Sequence, residues 1–209
     1  MTISILSLNI DRKTSKLVEL SQAAINTQPA LICIQDMFKR NTLDKQLLLS
    51  QLFPDYEVIP DIDNNSELIT LFARNKTQMV DYTRLGQSTL LTRISIDKAQ
   101  QEDVVNIYLR PRLDHQELMR ILNWILENAR KISRLTIIGD VNATSHLWDQ
   151  NDIIQRTKRT RTSYSVNKES RGNTFANWIV NNKLKCLNEH SKPNTLRATD
   201  GRECAIDIC

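Results

Sequence analysis

The sequence is 209 residues long and 40% hydrophobic, which suits one domain with a sizeable core. No run approaches the ~20 apolar residues of a membrane-spanning helix, and residues 1–10 flow straight into a polar strand end, unlike a cleavable signal peptide. The formal net charge of +4 permits a polyanionic partner without demanding one.

The chain alternates strand and helix signals. Ile3 to Asp11 alternates apolar and polar residues and ends in Asn9 and Asp11, two apart and therefore on one face of an extended strand. Ser15 to Asn26 has apolar residues at helical period (Leu17, Val18, Leu20, Ala24, Ile25). After Pro29, Ala30 to Asp36 reads as a buried strand ending in a carboxylate. Leu43 to Leu52 reads as a leucine-rich helix broken by Phe53-Pro54. A β-rich section follows, with strands expected at Tyr56–Ile59, Leu68–Arg74, Met79–Leu85 and Ser88–Ile96. Its clearest turn cluster lies at residues 61–65, and hairpins of this kind fit an antiparallel part of a mixed sheet.

Val104 to Pro111 reads as a strand delivering Tyr108 and Arg110 near its end. Asp114 can cap the next helix, with Glu117 completing a capping box. Leu118, Ile121, Leu122, Ile125, Leu126 and Ala129 mark its apolar face, and His115 reads as exposed. A strand, a long crossover helix and another strand would place Tyr108 and Asp140 in one sheet. Leu135 to Ile138 is that next strand, a β-branched run halted by Gly139. Asp140 and Asn142 follow at alternate positions, where open α/β sheets place their active sites. Arg156, Lys158, Arg159, Arg161, Lys168 and Arg171 then make a basic segment, either a solvated loop or a grip on phosphates. Asn173 to Lys183 reads as the last helix, with Phe175, Trp178 and Ile179 inward. Two short strands around Cys186 and Ile206 close the chain.

The four cysteines, Cys33, Cys186, Cys204 and Cys209, read as reduced core thiols of an intracellular protein. Cys186, His190, Cys204 and Cys209 match no familiar zinc spacing. At any one strand end, a polar turn is the plain reading. Five strands that each deliver Asn, Asp or Tyr form a constellation suited to holding or activating a water and fixing an oxyanion.

Asn9-Ile10-Asp11, Gln35-Asp36, Tyr108, Gly139-Asp140-Val141-Asn142-Ala143 and Ile206-Asp207 resemble the endonuclease/exonuclease/phosphatase superfamily, the DNase I-like fold. Several further features resemble the endonuclease domain of non-LTR (LINE-type) retrotransposons: His146-Leu147-Trp148, Arg171-Gly172 opening a helix, Leu187-Asn188-Glu189 with Pro193-Asn194-Thr195, and Ala205-Ile206-Asp207. The resemblance runs in order across nearly the whole chain.

That resemblance implies an α/β fold: a four-layer sandwich of two mixed β-sheets with helices on the outer faces. It implies a Mg2+-dependent (or Mn2+-dependent) endonuclease that nicks double-stranded DNA in the nucleus and leaves a 3′-OH primer for a fused or associated reverse transcriptase. In that reading Asp36 is the main metal ligand, with Asn9 and Asp11 nearby. Asp140 orients or deprotonates the water, Asn142 holds Asp140 and the phosphate, and Tyr108 donates to a phosphate oxygen. Asn9 and Asp207 complete the catalytic set. Arg110, Arg156, Lys158, Arg159, Arg161 and Arg171 are the expected nucleic-acid contacts.

The sequence departs from the family in two places. Asp36 stands where the family has Glu, one methylene longer. The acid matching Asp207 supports, in the family, a histidine on a later strand, and this chain stops at Cys209. The whole chain, 1–209, thus reads as a single domain of that type, C-terminally truncated and lacking the final strand. Two alternatives follow: a DNA-binding remnant without turnover, and a phosphatase or phosphodiesterase of the same fold.

Overall fold

The structure, a computed structural model, describes residues 3–39, 41–59, 65–76, 78–95, 101–129, 134–143, 163–184, 196–197, 203–204 and 207–208. Of residues 163–170, 196–197, 203–204 and 207–208 it describes the backbone alone. Two compact units emerge from it. The first comprises Met1–Tyr108 and Asn123–Gly139, the second Leu109–Leu122 and Asp140–Cys209.

The first unit is built on two sheets. β1 (Ile5–Asn9) pairs in parallel with β2 (Leu31–Gln35), with Asn9 opposite Gln35. Helix α1 (Thr14–Thr27) makes the crossover between them. It stops at Gln28, which takes a left-handed conformation and donates its N–H to the Ala24 carbonyl, and Pro29 then prevents continuation. β4 (Ile69–Ala73) runs antiparallel to β2 and carries β3 (Tyr56–Val58) at the edge, giving the order β1-β2-β4-β3. Helix α2 (Thr42–Leu52) starts at Asn41, whose side chain accepts the Leu43 N–H at 2.8 Å.

The second sheet contains the antiparallel run β5 (Gln78–Leu85), β6 (Thr89–Ser95) and β7 (Gln101–Tyr108), with β8 (Arg134–Asp140) beside β7. The β-rich section is therefore divided: β3 and β4 join the first sheet, β5 and β6 the second. Polar alternation does not reveal which sheet a hairpin strand will join, because both present one apolar face.

The inner faces of the two sheets share one core: Leu31, Cys33, Leu68 and Phe72 meet Leu90, Ile94, Val104, Tyr108 and Ile138. The other face of the first sheet is covered by α1 and α2 through Leu17, Leu20, Ala24, Leu49 and Phe53 on Ile32, Ile34 and Leu71. Each such fully buried aliphatic side chain contributes about 1.5–3 kcal/mol. Val18 and Ile25, expected on the apolar face of α1, are instead exposed.

A buried amide crosses the inter-sheet core. Asn106 on β7 accepts from Gln35 Nε2 at 2.8 Å and donates to the Ile69 carbonyl at 3.0 Å, the Thr70 hydroxyl at 3.3 Å and the Ile34 carbonyl at 3.4 Å. A buried ion pair lies elsewhere in the second sheet. Arg93 on β6 makes a two-pronged contact at 2.8 and 3.2 Å with Asp103, its partner across the ladder on β7. It also reaches the Asn128 carbonyl at 3.3 Å.

Helix α3 (His115–Asn128) contributes residues to both units. Its predicted cap is present: Asp114 accepts the Glu117 N–H at 2.8 Å. Glu117 pairs with Arg120 rather than reaching back, so only one arm of the box forms. Leu118, Ile121, Leu122 and Ile125 are fully buried, whereas Leu126 is exposed.

In the second unit, helix α4 spans Ser163–Asn181. It starts ten residues before the expected Asn173, so Arg171-Gly172 lies inside the helix and does not open it. The sequence carries little helical signal there, because residues 163–172 hold only Tyr164 and Val166 as apolar positions and show no apolar period. Phe175, Trp178 and Ile179 are buried as expected, with the Phe175 and Trp178 rings stacked at 5.8 Å. Three two-residue strands follow, β9 (Leu196–Arg197), β10 (Glu203–Cys204) and β11 (Asp207–Ile208), with β9 antiparallel to β10. The single strand expected over Cys204–Ile208 is thus two, and Cys186 lies outside the described residues.

Candidate active site

The first unit gathers its polar residues where β1 and β2 end. Asn9 closes β1, and its Oδ1 accepts the Asp11 N–H at 2.8 Å in an Asx turn. The turn swings the chain back so that Ile10 and Arg12 donate their N–H groups to the Gln35 and Asp36 carbonyls, each at 3.0 Å. Asp11, Arg12 and Asp36 all hold left-handed backbones, with φ of 50°, 56° and 52°. Non-glycine residues in that region cost about 1 kcal/mol or more each and cluster at functional sites.

This turn separates the two acids expected to act together. Asp11 faces solvent and pairs with Lys13 at 2.7 Å, and the Lys13 hydrogen bond is the main cause holding its carboxyl below the ordinary 3.8. Asp36 is buried, and the Arg12 guanidinium contacts it at 3.0 Å. The same guanidinium reaches Glu67 at 3.7 Å, and Glu67 is only 2% exposed. Glu67 was not anticipated. It precedes β4, 55 residues from Arg12, and only the antiparallel placement of β4 beside β2 brings it in. Its carbonyl accepts the Met37 N–H at 3.0 Å. The Asp36 carboxylate, first, and Glu67 and Tyr108 more weakly, push the Arg12 pKa up from its already high ordinary value. Tyr108 itself is buried at the end of β7, its N–H donating to the Ser88 carbonyl at 2.8 Å.

The second unit holds the other half of the predicted set. Asp140 is buried at the end of β8. Asn142 donates its backbone N–H to one carboxylate oxygen at 2.8 Å and its side-chain amide to the other at 3.0 Å. Asn142 is left-handed (φ 45°), which folds its amide back onto the acid two residues earlier. The next turn is fastened by Arg171. That side chain is buried and donates to the carbonyls of Pro111 at 2.9 Å, Arg110 at 3.3 Å and Asn142. Arg171 is expected among the phosphate contacts; the structure buries its guanidinium against these backbone oxygens. Arg110 has an exposed side chain. His115 is exposed, with Nδ1 at 3.5 Å from the Thr174 hydroxyl.

Asp207 opens β11, and its side chain is not described. Arg156, Lys158, Arg159, Arg161, His146 and His190 lie outside the described residues.

Among the described residues no group of three or more His, Cys, Asp or Glu side chains is arranged to hold a metal. The donor chemistry at the β1–β2 ends nonetheless fits a hard cation. Two buried carboxylates, Asp36 and Glu67, both lie within reach of the Arg12 guanidinium, and all the donors are oxygens.

The two-sheet sandwich is that of the DNase I-like fold. The endonuclease domain of TRAS1, a telomere-specific non-LTR retrotransposon, superposes with a TM-score of 0.70 at 18% identity, over 99% of this chain and 82% of that one. An AP endonuclease from Archaeoglobus fulgidus gives 0.68 at 12% identity, over 99% and 85%. A mannosyl-6-phosphatase from Bacteroides thetaiotaomicron gives 0.66 at 12% identity, over 99% and 84%. At such identities the likeness establishes the fold alone. No curated protein matches the sequence. Residues 103–209, more than half of the sequence and including the Asp140–Asn142 turn, match the model of the endonuclease-reverse transcriptase family, and the chain belongs to that family.

Proposed function

We propose that this chain is a divalent-metal-dependent DNA endonuclease. It nicks double-stranded DNA by phosphodiester hydrolysis and leaves a 3′-OH from which a fused or associated reverse transcriptase primes, acting in the nucleus. The observation that carries this reading is the Asp140–Asn142 turn, an enclosed carboxylate with an amide donor on each oxygen, inside the segment that matches the family.

Each group has a part that its chemistry suits. Asp140 orients the attacking water and takes its proton. Asn142 keeps the Asp140 carboxylate in one plane, and its second amide N–H is available for a phosphate oxygen. Tyr108 donates to a non-bridging oxygen, Asn9 and Asp207 support the catalytic set, and Arg110 with Arg156, Lys158, Arg159 and Arg161 contacts the DNA backbone. Asp36 holds the metal, with Asn9 and Asp11 as the further ligands expected from sequence. Glu67 is a better-placed second carboxylate than Asp11, which is turned to Lys13. A bound Mg2+ or Mn2+ would neutralise charge developing on the phosphate and the leaving oxygen.

The second reading, a DNA-binding remnant without turnover, is favoured by one observation: the carboxylate of Asp36 already carries a guanidinium. One experiment separates the readings. Supercoiled plasmid is incubated with the protein and Mg2+, with chelator, and with Asp140→Ala. Metal-dependent nicking that vanishes in the variant supports the nuclease. Salt-sensitive DNA binding without nicking leaves the remnant. Turnover of a small phosphoester with no action on DNA would point to a phosphatase instead.

A further inference from the structure

The contact between Arg12 and Asp36 is made twice over. The Arg12 N–H donates to the Asp36 carbonyl and the guanidinium Nε to the Asp36 carboxylate, both at 3.0 Å. The second arm of the guanidinium lies 3.7 Å from Glu67. Asp36 and Glu67 have side chains 11% and 2% exposed, whereas that of Arg12 is 54% exposed. The carboxylates are therefore fixed and enclosed while the cation between them has a way out to solvent. Enclosed carboxylates need a counter-charge.

We propose that Arg12 is a tethered counter-cation that competes with the divalent metal for Asp36 and Glu67, so that metal entry requires the guanidinium to swing out. The inference rests on the nuclease reading for the identity of the competing ion. It accounts for Asp36 standing in place of the longer Glu: the shorter side chain leaves room for a guanidinium beside the carboxylate. It gives the acids a counter-charge of the protein's own when metal is scarce, and it predicts a metal affinity lower than the two carboxylates would give unopposed.

The test is Mn2+ binding to the whole chain by isothermal titration, without DNA, for the natural protein, Arg12→Gly and Arg12→Lys. Glycine suits the left-handed backbone at this position. Arg12→Gly should bind Mn2+ about tenfold more tightly than the natural protein, as expected for removing a like charge beside the site. Arg12→Lys should stay within a few-fold of it. Adding Glu67→Gln to Arg12→Gly should weaken binding again. A readout on the natural protein avoids any variant that folds poorly: the Arg12 Nε–Hε resonance, identified by its loss in Arg12→Lys, should shift and exchange with water as Mg2+ saturates. Equal affinities for natural protein and Arg12→Gly, no binding by either, or an unmoved Arg12 resonance at saturation would each overturn the inference. Competition without plasmid nicking would remove only the nuclease reading, and nicking without competition only this one.

Discussion

Asn142 closes on Asp140 through two bonds, its backbone N–H at 2.8 Å and its side-chain amide at 3.0 Å, from a left-handed backbone at φ 45°. The strain of that backbone holds the amide in place, so the two can be separated by substitution. Asn142→Gly keeps the turn and removes the amide. Asn142→Ala removes the amide and adds about 1 kcal/mol of backbone strain. Both should lower the plasmid-nicking rate on the order of 100-fold, with only the Ala variant also losing stability. Recovery of nicking in the Gly variant would assign the effect to the backbone instead.

Gly139 admits no other residue. Its φ is +136°, and an added Cβ would stand 2.0 Å from the Ile107 carbonyl oxygen on β7. Gly139→Ala should destabilise by about 4 kcal/mol or give no soluble protein. A urea midpoint within error of the natural protein would show that β8 can draw away from β7 at no cost.

The Arg93–Asp103 pair should behave as an enclosed charge pair. Asp103→Ala leaves the guanidinium without its two-pronged partner and should cost about 3–5 kcal/mol. Replacing both with Met and Leu should recover most of that loss. If the double replacement is as unstable as the single, the pair contributes net stability in its own right.

Arg171 separates fastening from DNA contact. Arg171→Met removes a donor from the Pro111 and Asn142 carbonyls, while the Arg110 carbonyl keeps the Leu113 N–H, and should cost about 3 kcal/mol. The slope of log affinity against log salt should stay unchanged. Arg110→Ala, at an exposed position, should reduce that slope by about one. A slope altered by Arg171→Met would restore it to the phosphate contacts.

Glu117 titrates low chiefly because Arg120 hydrogen-bonds its carboxylate, below the ordinary 4.5. A depressed carboxyl stabilises the fold above the unfolded value and loses that contribution as pH falls through the folded value. Arg120→Ala should therefore raise the Glu117 pKa by NMR titration and flatten the acid limb of stability below pH 4.5, with a small loss at neutral pH that vanishes at low pH, where the carboxyl is protonated. A Glu117 titration identical in both proteins would mean that the pair is not held in solution.

Most of the frame was legible from local pattern. Leu31–Gln35, Arg134–Asp140 and α1 to α3 lie within a residue or two of where alternation, helical period and the Asp114 cap put them. The contact of Asp140 with Asn142 was legible too, although Asn142 makes it from a left-handed turn past β8 and not from the strand. Asp36 was recognised but its partners were not. Arg12 is 24 residues away and Glu67 another 31 beyond Asp36, and nothing in a linear pattern couples them. The enclosure of Arg171 was hidden for a related reason: sequence counts a charge but not the carbonyls that surround it.

Asn106 has a consequence for the way the sandwich assembles. Two apolar sheet faces can slide past each other with little change in the area they bury, so grease alone leaves neighbouring alignments nearly degenerate. A carboxamide with its acceptor and donors all spoken for by Gln35, Ile34, Ile69 and Thr70 is satisfied in one alignment and stranded in the others. It acts as a dowel between the layers. Because Gln35 is the residue before Asp36, the dowel also sets the lateral position of the acid, and the second sheet thereby dictates where the first one presents its charge.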